Sequence, residues 1–309
     1  MRILLLGANG QVGHELLRSL RPFGEIIAAT RDGKIDDRTA CETVDLAQPQ
    51  TLPALLDRIV PDLIVNAAAY TAVDRAEDEP ELAQRVNGEA VAVLGAWATA
   101  HGARVLQYST DYVFDGSATR PYREDDATNP VSVYGQTKLA GEISLRASGA
   151  RHLILRTAWV YAARGQNFLR TMLRRGAERD ELRVVDDQIG APTSARLIAD
   201  VTAQIIARLC AEGDTNDVSR DGTYHLVASG QTSWCGFARV IIERAQRTGL
   251  LVRAPRVIPI KTADYPTRAR RPAYSVLDTT KLRKAFGIEL PDWQAALDAA
   301  IAELTPRAD

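Results

Sequence analysis

Cysteine, histidine, lysine and long apolar runs are all scarce in this chain, and each scarcity excludes something. Cys41, Cys210 and Cys235 are the only cysteines. Three widely spaced thiols supply neither a disulfide framework nor a zinc set, and small buried roles are expected for them. The four histidines are scattered, with no metal-ligand spacing, so no metal is expected. No apolar run approaches the ~18 residues that span a bilayer, and Ile3 to Leu6 is too short for a signal-peptide core. A net charge of −1 and a pI near 6.5 give no basic excess. No nucleic-acid or membrane partner is expected, and the location should be cytoplasmic. A length of 309 residues allows two domains, or one large domain with an elaborated C-terminal part.

The shortage of lysine is the most telling. Between Lys34 and Lys261 the positive charge comes from arginine except at Lys138, which follows Tyr134 by four residues. On a helix, positions i and i+4 share a face, so phenol and ammonium can enter one cavity. A cation there favours the phenolate and should draw the tyrosine towards the range where acid–base catalysis is efficient. Arginine, planar and permanently charged, would serve poorly. The alternative is an ordinary surface pair at helical spacing.

The surroundings of this pair follow a regular alternation. Arg2 to Leu6 reads as a buried strand, running into Gly7-Ala8-Asn9-Gly10-Gln11-Val12-Gly13 and then a helical pattern, His14 to Leu20. Further strands are expected at Glu25 to Ala29, Thr43 to Asp45, Leu63 to Asn66, Arg104 to Ser109 and His152 to Arg156. Helices are expected at Leu52 to Ile59, Glu81 to Ala100 and Tyr134 to Arg146. Alternation of this kind is an α/β chain with a doubly wound parallel sheet. After Trp159 come a helix from Asn167 to Arg175, a strand from Leu182 to Val185, a helix from about Thr193 to Leu209 and a strand from Thr223 to Val227. Helices near Trp234 to Arg247 and Trp293 to Leu304 flank a Pro/Arg-rich loop, Ile260 to Tyr274. The expected division is 1–165 as the dinucleotide-binding domain, with 186–228 returning to it, and 166–185 plus 229–309 as a smaller C-terminal substrate-binding lobe.

The glycine turn has a physical logic. Gly7 permits a tight turn, Gly10 lets a phosphate approach the backbone, and Gly13 lets the helix pack closely on the strand, while the free N–H groups of the helix start face the anion. A merely tight turn is the bland alternative. The second strand ends in Ala29-Thr30-Arg31, where an acidic residue would accept the 2′-hydroxyl of NAD. A hydroxyl and an arginine suit a 2′-phosphate instead, which favours NADPH over NADH, although Asp32 keeps NADH open and Arg31 also reads as a surface residue.

These motifs together resemble the extended short-chain dehydrogenase/reductases. Gly10-Gln11-Val12-Gly13, Asn66-Ala67-Ala68-Ala69-Tyr70-Thr71-Ala72-Val73-Asp74, Ser109-Thr110-Asp111-Tyr112-Val113-Phe114-Asp115-Gly116, Tyr134-Gly135-Gln136-Thr137-Lys138-Leu139-Ala140-Gly141-Glu142, Asp187-Gln188-Ile189-Gly190-Ala191-Pro192-Thr193 and Arg271-Pro272 resemble the dTDP-4-dehydrorhamnose reductase family over nearly the whole chain. The resemblance implies a Rossmann-type fold, a nucleotide-sugar substrate, and reduction by NAD(P)H of the C4 keto group of dTDP-4-dehydro-L-rhamnose to dTDP-L-rhamnose. It implies Tyr134 as proton donor, Lys138 as its charge partner and ribose ligand, and Thr110 as the group orienting the carbonyl. Implied cofactor contacts are Gln11, Val12, Thr30, Asp45, Leu46, Ala67, Ala68, Ala69, Tyr134 and Lys138. Implied substrate contacts are Thr110, Asp111, Trp159, Val73 and Arg271. Residue by residue, Asp111 could instead cap a turn, Trp159 could be core, the alanines could be strand-end packing, and Arg268, Arg270 and Arg271 could be a pyrophosphate clamp or a solvated loop.

Some members of that family are magnesium-bridged dimers built on carboxylates. Glu15 stands at one such position, but Arg196 stands where a second acid is expected, and arginine cannot ligate magnesium. No such bridge is expected, and monomer or homodimer remain equally open; sedimentation with and without magnesium decides. Two rival readings are a non-catalytic regulatory subunit of the methionine adenosyltransferase type and another nucleotide-sugar epimerase or dehydratase. Retention of Thr110, Tyr134 and Lys138 together disfavours the first. The absence of an added acid/base pair directly after Thr110 disfavours the second.

Overall fold

The computed structural model of the chain describes residues 1–211 and 219–304. Its centre is a seven-stranded sheet. Six strands are β1 (Arg2–Leu6), β2 (Glu25–Thr30), β3 (Glu42–Thr43), β4 (Leu63–Asn66), β5 (Arg104–Thr110) and β6 (Arg151–Thr157), and the seventh is Gly222–His225. The spatial order is Gly222–His225, β6, β5, β4, β1, β2, β3, with every pairing parallel. The order reverses at β1, so the loops leaving β1 and β4 part there and open a crevice at the carboxyl edge.

Side chains alternate across a strand, and β1 shows the consequence. Ile3 and Leu5 enter a core with Leu16, Ile198, Val201 and Phe286, while Leu4 and Leu6 enter one on the other face with Leu52, Leu56, Leu94 and Leu145. All four β1 residues are fully buried, each worth about 2 kcal/mol by area transfer. The sheet is thereby held between two helix layers. A third core, with Tyr161, Leu169, Leu182, Val184, Phe237, Ile241 and Trp293, lies under a separate parallel pair, Glu181–Val185 with Arg256–Ile260.

Several elements differ from the sequence expectation. The helix expected at Glu81 to Ala100 is broken into Pro80–Gln84, a π-turn Arg85–Glu89 and Ala90–His101. That turn aims Asn87 sideways: its Oδ1 accepts from the Tyr70 N–H, while its Nδ2 donates to the Tyr70 carbonyl and to Thr137 Oγ1. The strand Arg256–Ile260 was masked in the sequence by Pro259, which an edge position tolerates. The short helix Thr280–Phe286, closed by Gly287 in the left-handed region, lies in the stretch assigned to the smaller lobe, yet Leu282 and Phe286 pack into the first core. Of the three cysteines only Cys235 is buried; Cys41 is half-buried and Cys210 exposed.

Candidate active site

The glycine loop is fixed by close contacts rather than by composition alone. Gly7 has φ +78°, and a Cβ there would lie 2.7 Å from the Ala68 nitrogen. A Cβ on Gly13 would lie 2.0 Å from the Gly7 carbonyl oxygen, so the helix Gln11–Ser19 can seat against the turn only without a side chain. Gly10 is the helix N-cap and no side chain caps the first turn, which leaves its N–H groups free for an anion. Gln11 Oε1 accepts from Asn167 Nδ2 across the crevice. Val12 and the half-buried Ala67, Ala68 and Ala69 line the neighbouring strand ends. A dinucleotide fits this cradle.

At the end of β2, Thr30 is buried and donates from Oγ1 to Asp32 Oδ1 at 2.9 Å, while Asn9 Nδ2 donates to the same oxygen at 3.2 Å. Arg31 is exposed. The Thr30 hydroxyl also accepts from the Lys34 N–H, so it serves the turn, leaving Arg31 and Lys34 as the cations nearby. Asp45 Oδ1 accepts from the Ala47 N–H, and Leu46 is buried.

Tyr134 and Lys138 lie on the helix Val133–Ala147, whose N-cap Ser132 accepts from the Gly135 N–H at 3.2 Å. The Tyr134 ring meets Tyr112 edge-on, with centroids 5.7 Å apart. Thr110 ends β5, is buried, and donates from Oγ1 to Asp111 Oδ1 at 3.0 Å. Tyr134 and Asp111 thus join Thr110 at the carboxyl end of β5, and Lys138 reaches the same strand at the Tyr108 carbonyl.

The electrostatics correct one expectation. Burial pushes the Tyr134 phenol up to about 12; Thr110 opposes this and Asp111 adds to it. Lys138 does not lower it, because its Nζ turns to the Tyr108 carbonyl at 2.6 Å. Burial brings Lys138 down to about 8, partly offset by Glu142. Tyr134 is thus a fully protonated phenol at neutral pH. Burial likewise raises Asp111 to about 6 against the pull of the Ser275 and Thr110 hydroxyls, and its Oδ2 has no partner in hydrogen-bonding geometry.

The remaining sequence assignments separate. Trp159 is half-buried with φ +49°, a strained value for a tryptophan, and stacks on Trp234 at 3.7 Å with its indole against Gly190. One ring face is therefore already covered. Arg271 Nη2 donates to Asp74 Oδ2 at 2.8 Å, and Tyr112 hydrogen-bonds the same guanidinium, whose Nη1 is buried without a partner. Arg268 pairs with Asp78, and Arg270 is exposed, so the three arginines do not converge as a clamp. Val73 lies half-buried on the short helix Val73–Ala76, and the contacts described do not bring it to Tyr134. Ser275 and Trp234 come from positions that no motif marked, and Tyr112 stood in the Ser109–Gly116 string without a role assigned to it. A cavity of about 360 Å³ between the helix Phe168–Glu178 and the strand Glu181–Val185 includes none of these groups.

Glu15, the one carboxylate considered for a metal bridge, faces Arg18, and Arg196 is held by an acid of its own. Arg196 bonds Glu303 at 2.5 Å, and Arg18 bonds Asp200 at 2.5 Å with Glu15 at 3.7 Å. Among the described residues no group of three or more His, Cys, Asp or Glu side chains could hold a metal ion, and no helix is long and apolar enough to cross a membrane.

A doubly wound parallel sheet with a glycine phosphate loop and a Tyr-x-x-x-Lys helix beside it defines a Rossmann-type protein of the extended reductase class. The RmlD substrate binding domain model matches residues 1–305. The chain is 48% identical over 306 residues to the dTDP-4-dehydrorhamnose reductase of Burkholderia thailandensis, covering 98% of this chain and 99% of the relative. It is similar to a solved dTDP-4-dehydrorhamnose reductase from Clostridium acetobutylicum, with a TM-score of 0.86, 35% identity, and 99% and 100% of the two chains covered. A Bacillus anthracis dTDP-4-dehydrorhamnose reductase solved with NADP gives a TM-score of 0.84 at 32% identity, covering 98% and 99%. The chain belongs to the dTDP-4-dehydrorhamnose reductase family.

Proposed function

We propose that this chain reduces the C4 keto group of dTDP-4-dehydro-L-rhamnose to give dTDP-L-rhamnose, with NADPH preferred and NADH accepted. The observation that supports this reading is that Thr110, at the end of β5, hydrogen-bonds Tyr134, with Lys138 on the same helix donating to the Tyr108 carbonyl two residues earlier on β5. Gly7, Gly10, Gly13, Gln11 and Val12 hold the pyrophosphate, Thr30 and Arg31 the adenosine ribose end, and Asp45 and Leu46 the adenine side. The bound dinucleotide supplies the hydride. Tyr134, held protonated by burial, donates its proton to the sugar oxygen as negative charge develops there. Thr110 aligns that oxygen, and Lys138 binds ribose hydroxyls while keeping positive charge next to the phenol's helix turn. Asp111 binds a sugar hydroxyl, Trp159, backed by Trp234, takes the ring, and Arg271 offers its unpartnered Nη1 to an anionic oxygen beside Val73.

The smaller lobe, 166–185 with 229–309, closes the substrate side, and the enzyme works in the cytoplasm as a monomer or homodimer without a magnesium bridge. The test is NADPH consumption on adding dTDP-4-dehydrorhamnose, with the product identified by mass. No consumption with intact NADPH binding overturns the reading in favour of a regulatory role; a dehydrated or epimerised product overturns it in favour of another sugar-modifying enzyme. A magnesium-dependent dimer in light scattering overturns the metal-free assignment.

A further inference from the structure

Arg164 lies in the loop between the short strand Val160–Tyr161 and the helix Phe168–Glu178, in none of the sequence motifs that mark the cofactor or the chemistry. Its side chain is half-buried, and its Nη1 is buried with no hydrogen-bond partner. A guanidinium N–H shut away from water without an acceptor is costly, so a group of this kind points to a ligand that supplies one.

The loop that carries Arg164 is built onto the glycine turn. Asn167 Nδ2 shares its hydrogens among Gln11 Oε1 at 2.8 Å, the Ala162 carbonyl at 2.9 Å and the Arg164 carbonyl at 3.0 Å. Arg170 Nη1 donates to the Ala163 carbonyl at 2.7 Å, and Asn167 Oδ1 accepts from the Arg170 N–H at 3.1 Å. Gly165, at φ +72°, comes so near the phosphate loop that a Cβ there would lie 3.5 Å from Gln11 Cγ. Gln11 opens the helix whose first N–H groups are uncapped, so Arg164 is held beside the anion-binding end of that helix. Its charge is felt one turn along at His14, lowered by burial first and by Arg164 next. It is felt also at Asp36 in the loop after β2, which is lowered chiefly by the Arg38 N–H. Neither serves as its partner. His14 Nδ1 is itself unpartnered, and Asp36 takes the Arg38 and Thr39 N–H groups on Oδ1 and the Thr39 hydroxyl on Oδ2.

We propose that Arg164 is a phosphate-binding residue of the dinucleotide site, its unpartnered Nη1 donating to a phosphate oxygen of the bound cofactor beside the start of the helix Gln11–Ser19. This rests on the cofactor role proposed for the glycine turn. The place suits a cation, because the helix start offers backbone N–H groups and has no acidic side chain in its first turn. Arg31 and Lys34 follow β2 in one half of the sheet, whereas Arg164 follows β6 in the other, and a dinucleotide in the crevice passes between them. Two groups of NADPH meet the description, the pyrophosphate and the adenosine 2′-phosphate, and binding constants separate them.

The experiment is titration of the protein with NADPH and with NADH, without the sugar, read by nicotinamide fluorescence, beside thermal melts with and without dinucleotide. Arg164→Met should weaken NADPH binding about tenfold or more, as loss of one charge-assisted hydrogen bond does. The rise in Tm that NADPH produces should shrink, while the Tm of the free protein stays level or rises, because an unpartnered buried donor has gone. Arg164→Lys, which keeps the charge but not the planar fork, should recover part of the affinity. A like loss for NADH assigns the contact to the pyrophosphate, and a loss confined to NADPH assigns it to the 2′-phosphate; either result carries the proposal. Unchanged affinity for both dinucleotides overturns it. Weaker binding that comes with a lower free-protein Tm and is not recovered by Arg164→Lys also overturns it, since Arg164 then only supports the loop. A natural chain that binds the dinucleotides without reducing dTDP-4-dehydrorhamnose strikes the proposed function alone, and one that binds neither dinucleotide strikes both.

Discussion

Tyr134→Phe removes one oxygen from the centre of the proposed chemistry, and the structure limits what else it removes. The ring stays edge-on to Tyr112 at 5.7 Å, because that contact is made by carbon. The lost hydroxyl interacts with Thr110, which keeps Asp111 as an acceptor, so the fold should change by no more than about 1 kcal/mol. The catalytic loss is much larger. With the phenol pushed up to about 12, essentially every molecule carries the proton at neutral pH, and the substitution deletes the whole general acid. A positioned acid contributes about 10²–10⁴-fold, which is about 3–5 kcal/mol of transition-state stabilisation. The assay is the initial rate of NADPH oxidation with both substrates saturating, beside an NADPH titration and a thermal melt. The expected outcome is a kcat lowered by two to four orders of magnitude, with NADPH affinity and Tm near natural. A variant that folds, binds NADPH and turns over within tenfold of the natural chain refutes Tyr134 as the proton donor.

Lys138→Met should stabilise the protein while ending turnover. The move of the ammonium from 10.5 to about 8 corresponds to about 3 kcal/mol, of which loss of the Tyr108 hydrogen bond returns about 1. Because the folded value is the depressed one, the cost is full below about pH 8 and fades towards 10.5, so denaturant melts should show the gain at pH 7 and none at the alkaline end. Asp111→Asn should stabilise by about 2 kcal/mol at pH 7–8, since burial raises its folded value to about 6; the gain vanishes below about pH 4, where both states are protonated. Its KM for the sugar should rise with NADPH affinity unchanged, and an unaltered KM removes Asp111 from the substrate site. Gly13→Ala places a methyl 2.0 Å from the Gly7 oxygen, so NADPH binding should be lost and stability should fall by about 2 kcal/mol or more; normal NADPH binding contradicts the close-packed cradle.

What the sequence determined by itself is local and periodic. The strand β1 was legible because four apolar residues, Ile3 to Leu6, run into a glycine turn, and Leu63–Asn66 and Leu52–Ile59 were legible to the residue because their apolar spacing matches one period only. The Tyr134–Lys138 face followed from helical geometry. Local signals were weaker at Arg256–Ile260, where Pro259 contradicts strand propensity, and at the π-turn Arg85–Glu89, where an inserted residue breaks the helical period.

Only the tertiary structure decided the partners and the charge states. Trp234 stacks on Trp159 from 75 positions away, Arg271 reaches back to Asp74, and Arg156 crosses from β6 to Glu142. No local pattern encodes such meetings, because they depend on which strands the sheet sets side by side. The protonation of Tyr134 is the clearest case. Sequence spacing placed an ammonium one turn away and implied a lowered phenol, yet the Lys138 Nζ turns to the Tyr108 carbonyl and burial raises the phenol, since desolvation depends on the whole fold whereas spacing reports only a neighbour.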